Sequence, residues 1–278
     1  MATFPHSLAA SVRKLESHSD LAAAGRDAIL ALPTSAHRFP ANRPIVHEGS
    51  PASGCWILTT GYAFRSKLTA SGARQIVAIH LPGDAVDLQN ALLPWADHSV
   101  HALTPVEAAF VPTAAVHDLL AAHPGAALAL WRDTLVDAAI QREWIVNVGQ
   151  RSAEARIAHL LCELATRQRA AGLATGEHYE LPMTQEALAD CTGMTSVHVN
   201  RMLQHLRRSK LIEQHGRSLR IEDWQALARV ADFEPDYLFV EPSSALQSSD
   251  RLNGRTLNPP DRGEPVLIAE RHIAMVAT

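Results

Sequence analysis

Residues 181–221 read LPMTQEALADCTGMTSVHVNRMLQHLRRSKLIEQHGRSLRI, a pattern of two short helices, a tight turn between them and a hairpin behind. Thr184 suits an N-cap, because its hydroxyl can accept from the first free backbone amides, and Glu186 favours the positive helix end. Ala187, Leu188 and Cys191 then share one face. Gly193 ends the helix without strain because it tolerates positive φ. A second helix opens at Thr195 or Ser196, and Val199, Met202, Leu203 and Leu206 give it an apolar stripe. Ser196, Val197, Asn200, Arg201, Gln204 and Arg208 point the other way. Residues 211–214 and 218–221 make two short strands around His215-Gly216-Arg217. Together these features describe a winged helix-turn-helix.

Charge follows the same lines. Between residues 198 and 220 stand Arg201, Arg207, Arg208, Lys210, Arg217 and Arg220 against the single acid Glu213, a local balance of +5 in a chain of net charge −4. Such asymmetry is the footprint of a surface held against phosphates. A merely solvated amphipathic helix would explain the arginines alone, but not their coincidence with the turn glycine and the wing.

At 278 residues the chain is long enough for two domains, each with its own core. Its 47% hydrophobic and 19% charged residues suit a soluble globular protein. No run approaches about 18 consecutive apolar residues, so no membrane contact is expected. The opening MATFPHSLAASVRKLESHSD lacks the basic start and continuous apolar core of a secretion signal. Cys55, Cys162 and Cys191 are too few and too scattered for a disulfide framework or a four-thiolate cluster. Reduced thiols, a cytoplasmic location and no cofactor are the expectation.

Along the chain, residues 7–32 read as helix ending at Pro33. From residue 44 to 112, short segments rich in Val, Ile and Thr are expected as strands at 45–46, 55–58, 62–68, 75–80, 99–103 and 107–111. Turn residues such as Gly61, Ser71-Gly72 and Pro82-Gly83-Asp84 separate them, which indicates an antiparallel sandwich or barrel. Residues 87–95 interrupt the sheet as a short helix or loop. Residues 113–121 form a short helix, and Pro124 suits the first turn of a long one over 125–148. In that helix Leu128, Trp131, Leu135, Ala138 and Ile145 follow 3/4 spacing with Arg142 interrupting, a coiled-coil-like seam of about three heptads. The seam would serve either packing on its own β domain or pairing with a second copy. Pairing is preferred, because helix-turn-helix proteins bind twofold sites as pairs. A helix over 151–168 and a glycine-containing loop over 170–178 lead into the helix-turn-helix. Residues 241–265, rich in Ser, Pro, Asn, Gly and Arg, read as a disordered tail. The fold class is thus α+β. Its parts are an N-terminal helix plus β sensor domain (1–122), a dimerisation helix (123–150), a winged helix-turn-helix domain (151–240) and a tail (241–278).

The order β-roll, long helix, winged helix-turn-helix resembles the Crp/Fnr family of bacterial transcription regulators. The resemblance runs over about residues 43–240. It is carried by TQEALADCTGMTSVHVNRMLQHLRRSKLI, by RSAEARIAHLLCEL before it, and by the glycine pattern ending in PGD. It implies an N-terminal domain like a cyclic-nucleotide-binding β-roll, a homodimer on palindromic double-stranded DNA, and RNA polymerase as a partner. It also implies recognition helices (195–209 here) in successive major grooves. Carried over by position, Ser196, Val197 and Arg201 would face base edges, with Asn200 adjacent. Thr184, Thr195, His198, Gln204, Arg208 and Arg217 complete the DNA-facing set. Arg201 stands where the family has an arginine contacting guanine, whose O6 and N7 match a guanidinium bidentately. Ser196 and Val197 depart from the Arg-Glu pair of the cyclic-AMP-binding branch, so that branch's half-site does not transfer.

Cyclic-nucleotide-binding members carry a Gly-Glu pair for the ribose and an Arg-Ser/Thr-Ala run for the phosphate. Here these positions become Gly83-Asp84 and Ala96-Asp97-His98. A phosphate needs a cation or a nest of amides to leave water, and Asp97 would repel it. The expected effector pocket is therefore Gly83, Asp84, Asp97 and His98 around an unidentified small molecule. An iron–sulfur centre would need about four cysteines. Among fifteen histidines, His80, His98 and His101 lie in or beside strands, where haem or a metal would be the alternative to ordinary hydrogen bonding. The alternative function is a regulatory cyclic-nucleotide or haem/metal sensor module acting through protein partners. No nucleophile motif, phosphate loop or zincin helix appears, so an enzyme is not expected.

Overall fold

The computed structural model describes residues 8–174 and 176–240; the expectation of a disordered tail over 241–278 lies outside them. Two helices open the described chain, α1 (Ala9–Glu16) and α2 (Ala23–Leu30). The single helix expected over 7–32 breaks at Ser17, whose hydroxyl donates to the Lys14 carbonyl at 2.7 Å. The His18 ring lies 2.8 Å from the same oxygen. Side chains thereby take the acceptor that a continuing helix would use.

Seven strands follow: β1 (Ser35–Phe39), β2 (Pro44–Val46), β3 (Gly54–Thr60), β4 (Ala63–Leu68), β5 (Arg74–His80), β6 (Ser99–Ala102) and β7 (Val106–Pro112). They make two antiparallel sheets, β1-β7-β3 and β2-β6-β4-β5. The sequence pattern omits β1, because Ser-Ala-His-Arg-Phe has no apolar alternation. Pairing with β7, from Ser35 opposite Phe110 to Phe39 opposite Val106, makes it a strand. Between the sheets Leu58, Ala63, Val86, Val100, Ala102 and Ala108 form a small aliphatic core. Gly61, at φ +77°, turns β3 into β4 so close to the Pro105 carbonyl that a Cβ would stand 2.2 Å from its oxygen. The interruption expected over 87–95 is a 3-10 turn, Leu88–Ala91.

Three helices carry the chain away from the roll: α3 (Thr113–Ala122), α4 (Pro124–Gln150) and α5 (Ala153–Ala170). At 27 residues, α4 spans about 40 Å. The C-terminal part contains β8 (His178–Glu180), α6 (Gln185–Thr192), α7 (Ser196–Arg208), β9 (Ile212–His215), β10 (Ser218–Ile221), α8 (Trp224–Ala231) and a 3-10 turn, Pro235–Leu238. The loop expected over 170–178 ends in β8, which pairs with β10 and makes the wing sheet three-stranded. Asp223 caps α8 by accepting from the Ala226 amide at 2.9 Å, a helix the apolar pattern alone does not announce. None of the described helices is long and apolar enough to cross a membrane.

The largest core ignores the boundary expected at residue 150. Phe64, Ile76 and Ile79 of the roll join Ile140 and Trp144 of α4, Ile157 and Leu161 of α5, and Leu188, Val199 and Leu203 of α6 and α7. Within this core His159 packs edge-on to Phe233, with Nε2 3.1 Å from the Tyr237 hydroxyl. Burial, reinforced by the nearby Arg151 guanidinium, pushes its imidazole down to about 4. The folded state thus holds His159 neutral, while the unfolded chain binds a proton below about 6.5. Stability from this source is full above that value and is lost as pH falls towards 4, by on the order of 3 kcal/mol. His159→Gln should therefore narrow its stability gap to the wild type between pH 7 and pH 4.5 in urea melts. A gap that stays constant with pH would show that His159 titrates normally.

Candidate nucleic-acid interface and sensor cavity

The helix-turn-helix forms as its caps dictate. Thr184 Oγ1 accepts from the Ala187 amide at 3.1 Å, and Thr195 Oγ1 accepts from the His198 amide at 3.3 Å. Gly193 closes α6 in the left-handed conformation, at φ +65°. In α7, Val199, Leu203 and Leu206 are buried and Met202 half-buried, while Val197, Arg201, Gln204 and Arg208 are exposed opposite them. Ser196, His198 and Asn200 lie half-buried at the margin. The Asn200 amide donates to Gln185 at 3.1 Å and its oxygen accepts from Gln204 at 2.7 Å, so these polar side chains bridge α6 and α7 in register. Arg217 is exposed at the tip of the wing.

One basic residue does not belong to the free positive surface. Arg220 pairs with Glu213 at 2.8 Å and with Glu222, so its charge is spent inside the wing. Arg201, Arg207, Arg208, Lys210 and Arg217 are exposed and in no ion pair among the described residues. Sequence counting cannot separate these two groups, because pairing across the hairpin is a matter of strand register.

The long helix α4 has two faces. Ala129, Val136, Ile140 and Trp144 are buried against the rest of the chain. On the other side Leu128, Trp131, Leu135 and Ile145 are 62%, 63%, 54% and 69% exposed, with Ala138 half-buried among them. The seam residues thus do not pack onto their own β domain.

Of the four residues expected as an effector pocket, Asp84 alone lines the cavity described below. Gly83 forms the turn after β5 against the α1 backbone, where a Cβ would lie 2.9 Å from the Ala10 carbonyl oxygen. Asp97 is exposed and bonds the neighbouring His98 ring at 2.7 Å, and that ring also meets Gln89. That cavity has a volume of about 230 Å³ and lies among α1, residues 80–89, α4 and the end of α5. Asp84 is held by Lys14 at 2.8 Å and Arg167 at 3.1 Å, with His80 Nδ1 at 3.7 Å. Burial alone would raise its carboxyl, but Lys14, the His80 bond and Arg167 hold it well below the usual carboxylate range. Further along, Glu163 accepts from Trp144 Nε1 and the Tyr237 hydroxyl, both at 2.9 Å, and from Arg167 at 3.3 Å. His101 is stacked on Phe64. Among the described residues no three His, Cys, Asp or Glu side chains cluster as metal ligands.

With this geometry in place, comparison with known proteins is specific. Residues 36–123 match the cyclic nucleotide-binding domain family, and residues 155–230 match the Crp-like helix-turn-helix domain. The transcriptional activator protein FnrL of Cereibacter sphaeroides is 26% identical over 202 residues, 71% of this chain and 81% of that protein. The nitrogen fixation regulation protein FixK of Azorhizobium caulinodans is 26% identical over 193 residues, 69% and 77% of the two chains. The structure of FixK2 from Bradyrhizobium japonicum superposes with a TM-score of 0.67 at 25% identity, covering 72% of this chain and 98% of that one. The chain belongs to the Crp/Fnr family. It is a DNA-binding transcription regulator with an N-terminal sensor domain.

For a Crp/Fnr protein, the groups that sequence reading missed are the ones that join its parts: Lys14, Arg65, Asp133, Asp137, Glu163 and Arg167. Their ion pairs span up to 119 positions, as in Lys14 with Asp133, and nothing local marks them. The α7 cap, by contrast, is legible and measurable. Thr195→Ala removes the hydroxyl that satisfies the His198 amide and should cost about 1 kcal/mol in a urea melt, with Thr195→Ser restoring it. Equal stability of all three proteins would mean that the cap contributes nothing.

Proposed function

We propose that this Crp/Fnr regulator acts in the cytoplasm as a homodimer on palindromic duplex DNA, working by binding rather than catalysis. Each copy places α7 in a major groove, and RNA polymerase is the protein partner. The observation that carries the reading is α7 itself: Val197, Arg201, Gln204 and Arg208 stand in solvent on the face opposite its buried stripe. Thr184, Thr195, Ser196, His198 and Asn200 flank that face, and Arg217 extends it to the wing. Arg201 reads a guanine, and the other arginines hold phosphates. The exposed stripe of α4 supports the pairing, because four large apolar side chains at 3/4 spacing seek a matching helix. A parallel pair of α4 helices would set the two α7 helices about 34 Å apart, one turn of duplex. A signal received on the sensor side would change the packing of α4 and so this spacing.

Fluorescence anisotropy with labelled random duplex tests the class of activity. Affinity should fall linearly in log–log terms as salt rises, with a slope of several units. An absence of binding at low salt would remove DNA from the account. On a selected operator, Arg201→Ala should cost about 1–3 kcal/mol and relax specificity at one base pair. An equal loss on random duplex would make Arg201 a phosphate contact only. In analytical ultracentrifugation, Leu135→Glu should convert a dimer into monomers and weaken operator binding. A variant that remains dimeric would place the interface elsewhere than α4.

A further inference from the structure

Among the described residues no large apolar side chain is more exposed than Val197, at 76%. A lone exposed valine is commonplace on a protein surface. This one stands at the second position of α7, on the side that also exposes Arg201, Gln204 and Arg208. Met194 before it and Met202 after it pack on the large core, and Val197 does not. Its polar neighbours are committed elsewhere: Thr195 accepts from the His198 amide, and Asn200 is held between Gln185 and Gln204. The described residues therefore leave its two methyl groups in water.

That apolar spot is the exception on a surface otherwise suited to phosphates, where Arg201, Arg207, Arg208, Lys210 and Arg217 are exposed. In the major groove guanine offers N7 and O6, adenine N7 and its amino group, and cytosine its amino group. Thymine offers O4 and the C5 methyl, and it alone presents an apolar group. Valine has no side-chain donor or acceptor. Against the other three edges it strips water from a polar atom and returns no hydrogen bond. Against thymine it buries methyl on methyl. Being β-branched, it keeps essentially one χ1 rotamer in a helix, so little side-chain freedom is lost on contact.

We propose that Val197 is a specificity-determining residue that selects a thymine in each half-site through its C5 methyl. The inference rests on the placement of α7 in the major groove and deepens it, by naming a base that Arg201 does not read. Val197 and Arg201 stand four positions apart, which makes them neighbours on one face of α7. One turn of helix matches the rise of one or two base steps, so the thymine lies within about two base pairs of the guanine. Methyl contact and bidentate hydrogen bonding then read adjacent parts of one half-site.

Operators selected from random duplex with the full wild-type chain supply the probe, and fluorescence anisotropy reads their affinity. Each half-site thymine is replaced in turn by deoxyuridine, which removes the methyl and nothing else. One position should respond, with a loss of roughly fourfold per half-site, the worth of about one buried methyl. In Val197→Ser the same replacement should cost nothing, because no methyl contact is left to lose. For the wild type, 5-methylcytosine at that position should bind better than cytosine by a similar factor. Val197→Glu should instead prefer cytosine, whose amino group donates to the new carboxylate. The absence of any uracil effect, an effect that survives Val197→Ser, equal binding of the two cytosines, or a Val197→Glu protein that still selects thymine would each overturn the proposal. A chain that selects an operator indifferent to every thymine methyl keeps α7 in the groove and removes only the role of Val197. A chain that selects no operator at all removes the placement of α7 itself.

Discussion

Much of the arrangement of this molecule hangs on one guanidinium. Arg167, near the end of α5, donates to the Ile79 carbonyl of β5 at 2.8 Å, to Asp84 at 3.1 Å and to Glu163 at 3.3 Å. A planar group with five donors in fixed directions can meet three acceptors from different elements only if those elements hold still relative to it. Asp84 passes the constraint to Lys14 of α1 and from there to Asp133 of α4. Glu163 passes it to Trp144 of α4 and to Tyr237 beyond α8. Burial raises the Glu163 carboxyl, and Arg167 leads the groups that oppose this. Such buried charges are costly to leave unpaired, so each member keeps the others in place.

Around this network the roll and the helix-turn-helix share apolar surface rather than meeting as independent balls. Residues of β4 and β5 contribute to the same core as α5, α6 and α7. At the edge of that core Arg74 of β5 pairs with Asp190 of α6 at 2.7 Å, and the Gln75 amide donates to the Asp190 carbonyl at 2.6 Å. The β4–β5 hairpin therefore grips the first helix of the DNA-binding unit directly. Movement of either part costs contacts in the other, which is the physical basis for coupling a sensor to a reader.

The long helix α4 has the opposite arrangement. One face is committed to the fold through Val136, Ile140 and Trp144, and the other leaves Leu128, Trp131, Leu135 and Ile145 in water. A side-chain stripe of this size is expensive to hydrate. The same helix also carries Asp133 and Asp137 to the cavity wall, so the exposed apolar stripe and part of that wall lie on one helix.

Local sequence determined the α+β order, the strand run of the roll, the capped α6 and α7 and their basic face. Caps, turn glycines and hydrophobic periods act over three or four residues, and they are written where they act. The exposed stripe of α4 was equally legible, because 3/4 spacing names a face whichever partner covers it. Tertiary structure alone decided the rest. It made a strand of the polar segment Ser35–Phe39 by giving it β7. It neutralised Arg220 against Glu213 and Glu222. It also placed Lys14 and Arg167 around Asp84 and Arg65 against Asp137. Charges that find each other across tens of residues obey the packing of whole elements, and no short window of sequence contains that packing.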